Sequence, residues 1–269
     1  MTHLLMTLER AAANCDIVGD VHGQADALFA LLTSSGWVIG AHDPHGTDPI
    51  SCHHPEGRFL LFTGDLVNKG PDSLRVLRLL IGVIAAGCGT SVIGNHDAAL
   101  LRGLTEINPD LPRGARKTLR AVRKQSSVFR HSVARMLQSL PAQVRIPMPK
   151  GHPMYGDGFV TVVHAACPAS CLDKDNPKAV RRNVYGFDAT REQQRPRGRR
   201  SWTQRYDGKR WVIHGHTPAR GLVCEGNTLC LDTGAGEHRN LALLRLDSGE
   251  LRARPVPIRF CWKALASAA

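Results

Sequence analysis

An α/β sandwich, two sheets packed together and covered by helices, is the fold class that three features of this sequence predict. Short apolar runs end repeatedly in glycine beside carboxylate, imidazole or amide side chains: Gly19-Asp20-Val21-His22-Gly23, Gly64-Asp65-Leu66-Val67-Asn68-Lys69-Gly70, Gly94-Asn95-His96-Asp97 and His214-Gly215-His216-Thr217. The first half alternates such runs with stretches whose apolar residues recur three or four apart, and the second half is dominated by strand-like runs. A chain of 269 residues, 42% of them hydrophobic, is large enough to bury a substantial core.

Cys15 to Val18 reads as the first strand, leading through Asp20 and His22 to a helix over Ala25 to Leu32. Phe59 to Phe62 repeats the pattern before Asp65, and Pro71 is expected to open a helix containing Leu74, Val76, Leu77, Leu80 and Val83, since its fixed φ suits a first helical position. Gly89 to Ile93 is a third strand running into Asn95. His42 to Gly57, rich in Pro, His, Asp and Gly, is expected to be an irregular loop.

From Arg116, the residues Leu119, Val122, Ser126, Phe129, Val133 and Leu137 describe one amphipathic helix with a basic outer face. Pro141, Pro147, Pro149 and Pro153 interrupt the next segment, and Phe159 to Val163 resumes a strand that ends at His164. Lys174 to Ser201 reads as a polar surface loop crowded with arginines between Arg191 and Arg200. Trp211 to Ile213 is a strand ending at His214, and Thr228 to Leu231 and Leu241 to Leu246 are two more, expected to be joined by a Gly234-Ala235-Gly236 turn. The expected organisation is one domain over residues 1–269, with a helical insertion at about 105–140, a basic loop at about 174–201 and a frayed tail from Ala264.

Composition narrows the function classes. The sequence has no run of about 18 uncharged apolar residues, so no membrane span or membrane partner is expected. Its N-terminus lacks the basic and long apolar segments of a secretory signal, which makes cytoplasmic residence the expectation. The eight cysteines are spread along the chain and read as reduced thiols. A formal charge of +12 draws polyanions without choosing among nucleic acid, nucleotide polyphosphate and acidic peptide, and a solvated basic face explains it equally well. No obligate protein partner is implied.

The strand-end residues assemble into the chemistry of a two-metal phosphoesterase. Asp20 and His22 are half of a metal site, Asp65 can bridge two cations through its two oxygens, and Asn95, His164 and His214 supply oxygen and nitrogen to the second. Such a mixed set suits Mn, Fe, Zn, Co or Ni better than Mg or Ca. Two divalent ions would activate a water between them for in-line attack on phosphorus. His96 is placed to protonate the leaving oxygen, and Lys69, with Asn95 and His96, to bind the phosphate. His216 reads as an organiser of the loop around His214. Cys167 and Cys171 lack the second close pair that a structural zinc site would need.

From about Cys15 to about Leu246 these motifs resemble the calcineurin-like metallophosphoesterases, in the branch shared by serine/threonine protein phosphatases and bacterial diadenosine tetraphosphatases. Tyr185-Gly186, Trp211 to Pro218 and Leu231-Asp232-Thr233-Gly234 look most like the PrpE-type phosphatases and the phosphatase domain of bacterial polynucleotide kinase-phosphatase. The resemblance implies a calcineurin-like phosphoesterase sandwich of two mixed sheets flanked by helices, and two metals, frequently manganese. It places Asp20, His22 and Asp65 on one metal and Asp65, Asn95, His164 and His214 on the other, with His96 as the acid. It also marks three departures. Asn68 stands where the family has an aspartate that partners the catalytic histidine, Lys69 replaces a phosphate-gripping arginine, and Ala166 replaces a glycine.

Three functions follow as alternatives. The first is hydrolysis of phosphomonoesters on a phosphoprotein, a nucleotide or an RNA end. The second is hydrolysis of a dinucleoside tetraphosphate. The third is a metal-holding module that binds polyanions with little turnover, motivated by Asn68 and Lys69.

Overall fold

The computed structural model describes residues 5–9, 14–43, 45–152, 154, 156–187, 201–247 and 251–257. Its strands are β1 (Leu5–Thr7), β2 (Asn14–Val18), β3 (Val38–Ile39), β4 (Cys52–His53), β5 (Phe59–Phe62), β6 (Gly89–Ser91), β7 (Gln143–Pro147), β8 (Phe159–Val163), β9 (Trp211–His214), β10 (Val223–Glu225), β11 (Thr228–Cys230), β12 (Asn240–Asp247) and β13 (Leu251–Pro257). Its helices are α1 (Ala25–Ser34), α2 (Ser73–Ala85), α3 (Asn95–Thr105), α4 (Arg113–Arg123), α5 (Ser127–Ser139) and α6 (Pro177–Tyr185).

Two mixed sheets pack on one another as a sandwich flanked by helices. One is five-stranded in the order β13-β12-β2-β5-β6, with β2, β5 and β6 parallel and β12 antiparallel to both its neighbours. The other is six-stranded in the order β1-β7-β8-β9-β11-β10, with β8, β9 and β11 parallel. The period-two alternation of each strand sorts its side chains into layers. Cys15 and Ile17 of β2 and Leu61 of β5 face Val144, Ile146, Val160, Val162 and Ile213 of the other sheet. Their neighbours Val18, Leu60 and Phe62 face the opposite way and are covered by α1 to α5 through Leu28, Leu77, Leu100, Leu119 and Val133. These strands are buried on both faces, which is why they read as unbroken apolar runs.

Asp16 of β2 is the polar exception on the helix side. Its fully buried carboxylate accepts hydrogen bonds from Arg58 Nε (2.8 Å), Arg245 Nε (3.0 Å) and Nη2 (2.8 Å), and Trp37 Nε1 (2.9 Å).

Several expected elements differ. α2 starts at Ser73 because the Asp72 carboxylate caps it, accepting from Arg75 N–H at 3.0 Å, and Pro71 lies outside the helix. The expected single helix after Arg116 is two, α4 and α5, since Ser126 accepts from Phe129 N–H at 3.2 Å and starts a new helix. The interval read as a loop between His42 and Gly57 contributes β4, which pairs with β3. The proline-interrupted segment contains β7, and Lys174 to Ser201 contains α6, capped by Asn176 with Pro177 in its first turn. Gly234-Ala235-Gly236 does not close a hairpin: β11 and β12 belong to different sheets, so it is a crossover between layers. The basic run Arg191 to Arg200, Pro153 and the tail from Ala264 lie outside the described residues.

Candidate active site

The carboxyl ends of the parallel strands β2, β5 and β6 and of β8 and β9 open onto one edge of the sandwich. Such edges collect functional side chains because the backbone leaves the sheet there. Asp20 and His22 follow β2, Asp65 follows β5, Asn95 and His96 start α3 after β6, and His164 follows β8. The loops are tightly held. The Asp97 carboxylate accepts from Leu66 N–H and Gly94 N–H, both at 3.0 Å, and so joins the Asn95 loop to the Asp65 loop. A β-carbon at Gly94 would strike the Asp65 backbone, and one at Gly215 would strike the Asp20 carboxylate, so both close approaches need glycine.

Backbone strain is concentrated here. Of the eight described non-glycine residues with positive φ, five belong to the site: His22 (48°), Asp65 (49°), Asn68 (73°), Lys69 (61°) and His216 (70°). Each such residue costs roughly 1–2 kcal/mol, which marks the arrangement as one the surrounding fold imposes.

Most of the residues singled out in the sequence come together. His22 Nε2 lies 3.5 Å from Asp65 Oδ2, and His164 Nε2 lies 3.4 Å from Asp65 Oδ1 and 3.0 Å from Asn95 Oδ1. Asp20 Oδ2 is 4.0 Å from His164 Nδ1 and accepts from His216 N–H at 2.9 Å, while Oδ1 accepts from the Thr63 hydroxyl at 2.8 Å. His96 Nε2 is 4.0 Å from Asp65 Oδ2, and its Nδ1 is 2.8 Å from Asn68 Nδ2. Lys69 Nζ reaches His22 Nε2 at 2.9 Å.

The sequence places His214 with these ligand types, and in the structure its ring does not join them. His216 takes the place instead, its Nδ1 standing 3.0 Å from Asn95 Oδ1 and 3.1 Å from His164 Nε2. The reason is strand alternation. Ile213 faces the layer between the sheets, so His214 faces outward, where its ring meets Trp202 at 4.9 Å and its buried Nε2 has no hydrogen-bond partner. Beyond Gly215 the chain turns, and the positive φ of His216 aims its ring back into the site. The alternation of Trp211 to His214 was a signal for this in the sequence. Asp97, as the clasp between loops, had no such signal.

The donor set fits divalent cations. A backbone carbonyl only accepts, so the proton sits on Nδ1 in His164, 2.9 Å from Thr63 O, and in His22, 3.2 Å from Val67 O. Both Nε2 atoms therefore present lone pairs. Asn95 Oδ1 and Asp65 Oδ1 lie 3.0 and 3.4 Å from His164 Nε2, three acceptor atoms of the kinds that ligate a divalent cation. Burial pushes His22 and His164 down to about 4 and holds His96 and His216 below the ordinary range, which favours the neutral imidazole at each. Burial, reinforced by the carboxylates of Asp232 and Asp65, raises Asp20 well above the usual carboxylate range, and burial takes Asp232 up to about 6. Two groups of possible ligands, His22, Asp65 and His96, and Asp65, His164 and His216, share Asp65 and are consistent with a dinuclear metal centre.

Residues 15–220 match the family described as calcineurin-like phosphoesterase. The chain is 32% identical over 222 residues to the asymmetrical bis(5'-nucleosyl)-tetraphosphatase PrpE of Bacillus subtilis strain 168, covering 81% of this chain and 85% of that protein. It is 30% identical over 247 residues to the PrpE of Anoxybacillus flavithermus strain DSM 21510 / WK1, covering 89% and 93%. Among solved structures, a putative diadenosine tetraphosphatase superposes with a TM-score of 0.60 at 24% identity, over 94% of this chain and 98% of that one.

Proposed function

The chain belongs to the calcineurin-like phosphoesterases and is a metal-dependent phosphohydrolase, and we propose that its substrates are dinucleoside polyphosphates rather than phosphomonoesters. The observation that carries the choice is Asn68 at 2.8 Å from His96. An amide supplies no charge to stabilise an imidazolium, and burial already holds His96 below the ordinary range. A histidine so seldom protonated at neutral pH is a poor match for an alkyl phosphate, whose alkoxide needs a proton to leave. It suits a phosphoanhydride, whose leaving group departs as a stable phosphate anion. The likeness to the PrpE tetraphosphatases over most of both chains supports the same substrate class.

In this reading Asp20, His22 and Asp65 hold one cation, and Asp65, Asn95, His164 and His216 hold the other, with manganese the working metal for a mixed oxygen and nitrogen set. When bound, the ions neutralise phosphate oxygens and acidify the attacking water. His96 delivers a proton to the leaving oxygen, and Asn68 orients the imidazole through Nδ1. Asp97 holds the His96 and Asp65 loops in register. Lys69 binds a phosphate oxygen as a point charge, and Arg113 and Lys117 line a cleft that also includes Lys69 and Asn68, which gives a multiply charged chain further positive contacts. We read residues 1–269 as one domain, and the reduced cysteines as those of a cytoplasmic protein.

The test is phosphate or nucleotide release by manganese-loaded protein over an aryl phosphate, diadenosine tetraphosphate, a phosphopeptide and 3'-phosphorylated RNA, with products separated directly. The dinucleotide is expected to have the highest kcat/KM. Preference for the phosphopeptide or the RNA end would overturn the substrate proposal. Absence of turnover with two metals bound would favour the polyanion-binding module instead.

A further inference from the structure

Beside His216 a cavity of about 530 Å³ runs between the end of α6 and β10. Its size falls in the range of small-molecule sites, roughly 300–1,000 Å³. Phe187 and Trp202 are aromatic walls, and Val223, Gln204, Glu225 and His216 also line it. Trp202 is held from two sides, with ring centroids at 4.9 Å to His214 and 6.4 Å to Tyr206, so the indole is positioned before any ligand arrives.

Among the described residues the lining of this cavity carries one formal charge, the Glu225 carboxylate, while the guanidinium groups of Arg182 and Arg205 stand 3.8 and 5.8 Å from the Phe187 ring centroid. Glu225 is fixed in place by hydrogen bonds donated by the Thr203 hydroxyl, the Ser201 hydroxyl (3.3 Å) and the Gln204 amide (3.1 Å), and these keep its carboxyl below the usual range. A carboxylate wall repels phosphate. It accepts hydrogen bonds from neutral donors such as ribose hydroxyls or the N–H groups of a base, beside aromatic surface on which a base can stack. A separate cleft is lined by Lys69, Arg113 and Lys117.

We propose that this cavity is a nucleoside subsite, which receives one uncharged nucleoside end of the substrate while its phosphates extend across the metal ligands toward Lys69. The inference rests on the dinucleoside polyphosphate reading for its biological substrate, although the cavity's preference for a nucleoside is a property of its own residues. Aromatic surface and the Glu225 carboxylate receive base and ribose beside His216, and Lys69 receives the polyphosphate.

The test separates the subsite from the reaction. Adenosine, which carries no phosphate, is added to zinc-loaded protein and followed by saturation-transfer NMR. Transfer to the adenine protons is expected with the unaltered chain and is expected to be lost in both Trp202→Ala and Val223→Trp. Val223 is 40% exposed on β10, so a larger side chain there enters the cavity without disturbing the core. Tripolyphosphate is expected not to displace adenosine. In parallel, the ratio of kcat/KM for diadenosine tetraphosphate to that for an aryl phosphate is expected to fall about tenfold in each variant. Adenosine transfer that is absent, unchanged in both variants, or abolished by tripolyphosphate would overturn the subsite. If adenosine binds and the variants lose it while the unaltered enzyme fails to cleave the dinucleotide, the subsite stands and the proposed substrate falls.

Discussion

Asn68 Nδ2 lies 2.8 Å from His96 Nδ1, and the Asn68 Oδ1 atom is buried without a hydrogen-bond partner. The amide donates to the ring, which leaves the imidazole proton on Nε2, the nitrogen that faces Asp65 at 4.0 Å. A carboxylate at position 68 would reverse the hydrogen bond, accept from Nδ1–H and stabilise the imidazolium.

Asn68→Asp is therefore expected to raise the pKa of His96 and to speed turnover of substrates with poor leaving groups by about tenfold, within the range of general-acid effects. The rate on diadenosine tetraphosphate should change by less. A series of aryl and alkyl phosphates measures this as a flatter dependence of rate on leaving-group basicity. An unchanged slope would remove His96 from the role of acid.

Lys69 holds the lone pair of His22 that faces Asp65, at 2.9 Å. A cation bound to that nitrogen has to displace the ammonium, so Lys69→Met is expected to tighten the weaker of the two metal-binding events by about fivefold, the scale of one lost hydrogen bond. Substrate KM should rise at the same time, because a phosphate contact is lost. Calorimetric titration of metal-free protein with manganese reads the first effect, and steady-state kinetics the second.

His216 and His214 are expected to separate cleanly. His216→Ala should bind one metal equivalent fewer, and His214→Leu should keep both. The pH dependence of stability gives a second readout. Burial holds His214 down to about 4, whereas an unfolded histidine titrates near 6.5. Between these values the unfolded chain binds more protons, so stability is lost as pH falls below about 6.5 and the loss saturates near pH 4. The contribution is about 2 kcal/mol at pH 5 and close to zero at pH 7. His214→Leu should therefore gain stability relative to the unaltered metal-free protein at pH 5 and not at pH 7, as measured by urea unfolding.

Asp16 balances two arginines inside the helix-covered face of the sheet, one of them Arg58, which is 4% exposed. Asp16→Ala leaves that guanidinium without its main buried counter-charge and is expected to destabilise the fold by about 3–5 kcal/mol. The melting temperature should fall by about 10 °C. A change under 2 °C would show that Asp247 and Asn14, which also contact Arg58, suffice.

The strand-end motifs were legible because their chemistry and local geometry coincide. An apolar run buried on both faces is a strand whatever surrounds it, and a glycine followed by Asp20, Asp65 or Asn95 puts a ligating group where that strand leaves the sheet. The helices were legible in register but not in extent. The break between α4 and α5 depends on the Ser126 cap, which competes locally with continued helix and hardly disturbs the apolar spacing. β7 lay hidden among prolines because its pairing partner is β8, sixteen positions away between Gln143 and Phe159.

By itself the sequence determined the family of chemistry: a carboxylate, imidazole and amide set at successive strand ends, and with it the two-sheet architecture that presents them. These follow from short-range properties, burial periodicity and turn residues. Only the tertiary structure decided which histidine of the His214-Gly215-His216 turn stands beside Asn95 and His164, that Lys69 rests on His22 Nε2, and that a cavity holding the Glu225 carboxylate opens beside His216. Each of those depends on where distant strands stop relative to one another and on the left-handed turns that re-aim their side chains, and spacing along the chain carries neither.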